Sequence, residues 1–91
     1  MSKPSFEQVW KRIIASEGKE FRTITNLPFT YEIRGSSLRP NRTEYKISKS
    51  DIAKAYIMVP LSDPGKIAKL VRGPTYLWAI LHDKRISQEE W

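Results

Sequence analysis

A chain of 91 residues without cysteine has neither a disulfide scaffold nor a thiolate metal site, and it has room for a single small globular domain, residues 1–91, with a thin core. Sixteen Lys/Arg against ten Asp/Glu leave a net charge of +6, and no segment approaches the length of about 20 apolar residues needed to span a bilayer. All of that charge lies between Arg34 and Arg72, where nine basic residues face three acidic ones; the flanks hold seven of each.

The opening residues, Met-Ser-Lys-Pro-Ser-Phe-Glu, carry no apolar signal core, so the expected compartment is the cytoplasm. Phe6, Val9, Trp10 and Ile13 then recur at helical spacing, with Ile14 extending the stripe. Ser5 and Gln8 have the form of a capping box and Gly18 suits a left-handed stop, which predicts a helix from Ser5 to Glu17. An exposed Glu7–Lys11 pair would add only about 0.3 kcal/mol, against roughly 1.5 to 3 for each buried apolar side chain. Packing therefore decides this helix.

Phe21 to Thr25 and the alternating run Phe29 to Arg34 predict a hairpin around Asn26-Leu27-Pro28. After the turn Gly35-Ser36-Ser37, Leu38 and Arg39 pair briefly before Pro40 removes a ladder donor, which predicts an edge strand. Tyr45 and Ile47 alternate with Glu44, Lys46 and Ser48 as a last strand.

Ser50 is positioned to cap a second helix, whose Ile52, Ala55, Tyr56 and Val59 keep the helical period until Pro60. Asp63-Pro64 opens a third, to Val71, with Ile67, Leu70 and Val71 on its core side and Lys66, Lys69 and Arg72 opposite. Residues 75–82 are apolar on all sides, as in a buried helix or a central strand; Pro74 before them and Lys84 and Arg85 after them favour helix, with Asp83 discordant at its C-terminus. Ser87 to Trp91 read as a frayed tail, with Trp91 either docked or exposed. The fold class is α+β: an N-terminal helix, a small antiparallel sheet of three or four strands, and C-terminal helices on one face. Trp10, Tyr31, Tyr56 and Trp78 are expected in the core.

Arg34, Arg39, Arg42, Lys46, Lys49, Lys66, Lys69 and Arg72 are the candidate nucleic-acid-binding residues, and a shared face would make them a phosphate-binding surface. The simpler explanation is a set of solubilising charges. The two helices flanking Pro60 to Ser62 have the layout of a helix-turn-helix, but the second lacks the Arg, Asn or Gln that read bases near its start. Phe29, Tyr31 and Tyr45 are in phase with the apolar strand face, so stacking platforms for single strands are not expected.

For an enzyme the inventory is poor: one His, no Gly-rich phosphate loop and no ligand pair at metal spacing. His82 and Asp83 point about 100° apart on a helix and form no dyad. Glu44-Tyr45-Lys46, with Glu32 on the preceding hairpin, could bring a metal-holding carboxylate beside a lysine. In the order helix, three strands, helix, that motif resembles the nuclease superfamily whose core has an acidic residue followed by Glu-x-Lys. The resemblance covers Ser5 to Val59 and implies magnesium-dependent cleavage by Glu32, Glu44 and Lys46. It departs at the first acidic position, since no Asp precedes Glu44. The leading expectation is a non-catalytic domain without cofactor that binds DNA or RNA through phosphates, with little base readout; the alternative is an interaction or regulatory module for an acidic protein.

Overall fold

The computed structural model describes residues 3–91. Helix α1 spans Phe6–Ala15, with the Ser5 hydroxyl accepting from the Gln8 N–H and Gly18 left-handed at φ +83 beyond its end. Val9, Trp10 and Ile13 are buried while Ile14 is largely exposed, so the packed stripe is narrower than the sequence suggests. Glu7 pairs with Lys49 at 3.2 Å rather than with Lys11.

Strands β1 (Phe21–Arg22) and β2 (Pro28–Phe29) form the hairpin, and β3 (Tyr31–Arg34), β4 (Ser37–Pro40) and β5 (Ile47–Ser48) form a separate antiparallel sheet in the order β3-β4-β5. The run from Phe29 to Arg34 is broken at Thr30, whose N–H donates to the Asn41 side chain and whose carbonyl accepts from the Asn41 N–H, each at 2.9 Å. The strand predicted at an edge is central. Pro40 is tolerated there because β5 pairs only with Ser37 and Leu38, so the missing N–H of Pro40 removes no rung on that side.

The last strand is shorter than its alternation suggests. The Thr43 hydroxyl bonds the carbonyls of Pro40 and Tyr45, and the Thr43 N–H donates to Pro40, so residues 41–46 close as a loop and Glu44 to Lys46 lie off the strand. Helix α2, Lys49–Met58, follows directly on β5. Ser48 caps it in place of Ser50, because extended Ser48 already directs its hydroxyl to the Asp51 N–H at 3.1 Å.

Asp63 and Pro64 do start a helical segment, but it is a single 3₁₀ turn, Pro64–Ile67. The chain then bends, burying Ile67 and Val71 and leaving Leu70 52% exposed. Helix α3, Pro74–Leu81, settles the apolar run as a helix. Asp83 is no misfit at its end: it caps a following short helix α4, Lys84–Ser87, and accepts from the Arg85 N–H. The segment expected to fray lies against the body. The Trp91 indole N–H donates to the Leu81 carbonyl at 2.7 Å and its ring meets Tyr56 edge-on at 5.1 Å. One core cluster joins the helices to both sheets; Trp10, Tyr31 and Tyr56 are buried in it, while half-buried Trp78 stacks on His82. No helix among the described residues is long and apolar enough to cross a membrane.

Gly73, left-handed at φ +65, is the N-cap that precedes α3, and a Cβ there would lie 2.6 Å from Ile47 Cδ1. Gly73→Ala is expected to cost about 2 to 4 kcal/mol, from the left-handed backbone and the overpacking together, read as a lower denaturation midpoint at unchanged m-value.

Candidate nucleic-acid interface

Alternation along the three-stranded sheet buries Tyr31, Leu38, Pro40 and Ile47 and turns Glu32, Arg34, Ser37, Arg39 and Ser48 to the outer face. Glu32 stands opposite Arg39 and two residues from Arg34, so its carboxylate receives both guanidiniums, at 3.0 and 3.3 Å. The hydrogen bond from Arg39 is the main cause that holds the Glu32 carboxyl below its ordinary range. Arg39 also donates to the Thr43 carbonyl at 3.1 Å. Lys49 sits apart from this group, between the Glu7 carboxylate and the Trp10 ring.

Arg42, Lys46, Lys66, Lys69 and Arg72 are exposed, and none of these five makes an ion pair among the described residues. Arg42 and Lys46 lie on the 41–46 loop, where Arg42 donates to the Pro28 carbonyl at 3.3 Å. The Arg72 guanidinium carbon lies 5.2 Å from the centre of the Tyr45 ring on that loop. The Arg72 N–H donates to the Asp51 carboxylate at 3.2 Å. Burial pushes the Tyr45 hydroxyl above its ordinary pKa, opposed in part by Arg72. The structure thus brings Arg42, Lys46 and Arg72 to one loop and its cover, groups Arg34 and Arg39 around Glu32, and places Lys66 and Lys69 on the 3₁₀ turn and the bend before Arg72.

A recognition helix is not formed, because the second half of the supposed helix-turn-helix is one 3₁₀ turn. The nuclease arrangement is not formed either: Glu44 and Lys46 are off the strand, and two guanidiniums occupy Glu32. Among the described residues no cluster of three His, Cys, Asp or Glu could hold a metal ion. A cleft of about 350 Å³ runs past Glu20, Arg22, His82 and Asp83, but its polar groups are bound internally. Arg85 donates to both Asp83 oxygens and to the Glu20 carbonyl. His82 accepts the Leu61 N–H at Nε2, while its Nδ1 lies 3.0 Å from the Trp78 carbonyl.

Tyr45 and Gly73 are the site residues that sequence reasoning misses. Tyr45 follows the apolar period and reads as core, and Gly73-Pro74 reads only as a helix start; neither pattern shows that the two segments touch. No protein-family model matches the chain, and no curated protein or solved structure matches it.

The Glu32 carboxyl, depressed below its ordinary value of 4.5, keeps its ion pairs above the carboxylate range and loses them as pH falls through the lowered value. NMR titration of its side-chain carbonyl is expected to give a midpoint below 4.5, and Arg39→Ala is expected to move that midpoint up towards it.

Proposed function

We propose that this protein is a non-catalytic nucleic-acid-binding domain that grips the phosphate backbone through Arg42, Lys46, Lys66, Lys69 and Arg72 and reads little base sequence. The observation that carries this reading is the stacking of Arg72 on Tyr45, which joins the basic loop to the basic segment that ends at Arg72. Lysines and arginines without carboxylate partners are free to displace counterions from phosphates, the main source of sequence-independent affinity. No aromatic ring is fully exposed among the described residues, which favours duplexes over single strands, since single-strand binders need rings on which bases stack.

Neutralising about five phosphates predicts a slope near −4.5 in log K against log salt, hence roughly 500-fold weaker binding between 50 and 200 mM. Fluorescence titrations with double- and single-stranded DNA and RNA at several salt concentrations check this; a flat salt response, or no binding at low salt, would overturn the proposal and favour an acidic protein partner. Lys66→Ala with Lys69→Ala is expected to reduce the slope by about 2. Glu32→Gln, which releases Arg34 and Arg39, is expected to tighten binding and steepen the slope by about 1 to 2.

A further inference from the structure

The loop that joins β1 to β2 is closed by its own bonds. The Thr23 N–H donates to the Leu27 carbonyl at 3.0 Å, the Leu27 N–H to the Thr23 hydroxyl at 3.1 Å, and the Asn26 N–H to the Thr23 carbonyl at 2.8 Å. The Thr25 hydroxyl lies 3.1 Å from that of buried Thr23, and Asn26 is left-handed at φ 68. Such a tip is braced by its own hydrogen bonds on the buried Thr23 at its base. It nevertheless directs two aliphatic side chains outwards, Ile24 at 49% and Leu27 at 48% exposure. Cations stand on both sides of it. Arg42, one of the five basic residues between Arg34 and Arg72 without an ion pair, is anchored on the carbonyl of Pro28, next to Leu27. Arg22 lies along the other side, with its guanidinium reaching the Asn26 carbonyl and Glu20.

We infer that this tip is an apolar wedge for duplex DNA, entering a base step from the minor groove while Arg42 meets a flanking phosphate and Arg22 stays paired with Glu20; the inference rests on the phosphate-binding reading above. Leu and Ile are among the side chains that architectural proteins insert at base steps, and a stiff loop is the support such insertion needs, because a tip free to fold back would not unstack bases. The unpaired Arg42 beside the tip complements a polyanion. A lipid surface is the poorer fit: even a single myristoyl chain gives only marginal membrane binding, and this loop offers two short aliphatic side chains and no aromatic ring.

The test uses a duplex of about 25 base pairs with a donor and an acceptor dye at its ends, so that anisotropy reads binding and energy transfer reads bending in the same sample. Saturating wild-type protein is expected to raise energy transfer, as for a kink of about 20 to 90°. Ile24→Ser with Leu27→Ser, both on exposed positions, is expected to keep the thermal midpoint and the salt slope of binding while losing that rise. Binding without a change in energy transfer, or equal bending by the double variant, would overturn the wedge and leave phosphate binding standing. No anisotropy change at low salt would remove both. Wild-type sedimentation with phosphatidylcholine–phosphatidylserine vesicles that the double variant loses would assign the tip to membranes instead.

Discussion

The close approach of Gly73 to Ile47 sets where the unpaired charge lies. Cation–π contacts at exposed sites contribute about 0.5 to 1 kcal/mol, too little for Arg72 on Tyr45 to determine a chain path. Packing does that. Ile47 is fully buried, and it lies where a side chain at position 73 would have to go. The start of α3 is therefore pressed against β5, and Arg72, the residue before Gly73, arrives over the loop that precedes β5. A basic residue from the second half of the chain reaches the loop of the first half as a consequence of core formation, with charge attraction a minor term.

Charge is sorted further by pairing. Arg34, Arg39, Lys49 and Lys54 all face carboxylates, although exposed pairs of this kind contribute about 0 to 1 kcal/mol to stability. Their effect on the field is larger than their effect on the fold, because each pair removes a cation from the set that a phosphate can meet without breaking a bond. Glu32 alone engages two guanidiniums, so the outer face of the sheet keeps one net positive charge from two arginines. Between Arg34 and Arg72, the cations without an ion pair lie on the 41–46 loop and the segment ending at Arg72.

How much of this is legible in the sequence depends on the range of the determining contact. Helix α1 is legible because four apolar residues repeat within eight positions and both ends carry local stop signals. The α3 helix is legible only through its flanks, since residues 75–82 are apolar on all sides and only Pro74 before them and the basic residues after them favour helix over strand. Residues 41–46 are not legible, since the Thr43 side chain supplies hydrogen bonds to a backbone whose alternation is that of a strand. The central place of β4 escapes too, because Pro40 excludes a rung only if a neighbour extends to it, and β5 stops short. At the site, the position of the charge can be counted from the residues alone. Its pairing cannot: Glu32 meets Arg39 across a turn, and Glu7 meets Lys49 across more than forty positions.

Both ends of the described chain converge on Tyr56, which bears on what the basic surface can be. The Lys3 ammonium caps the end of α2 by donating to the Tyr56 and Val59 carbonyls at 3.0 and 3.1 Å, and it lies 4.8 Å from the Tyr56 ring. Trp91 meets the same ring edge-on, and Arg12 ties the last turn to α1 through Ile86 and Glu90. The helical layer is thus fastened from its ends, and none of Arg42, Lys46, Lys66, Lys69 and Arg72 takes part. Gripping phosphates demands little more than positive charge held near a surface, since counterion release does not depend on exact side-chain geometry. A loop braced by Thr43 and a bend after a 3₁₀ turn satisfy that demand. Unstacking a base step requires a rigid support, and the exposed aliphatic tip between β1 and β2 carries a closed hydrogen-bond set of its own, with two aliphatic side chains turned outwards.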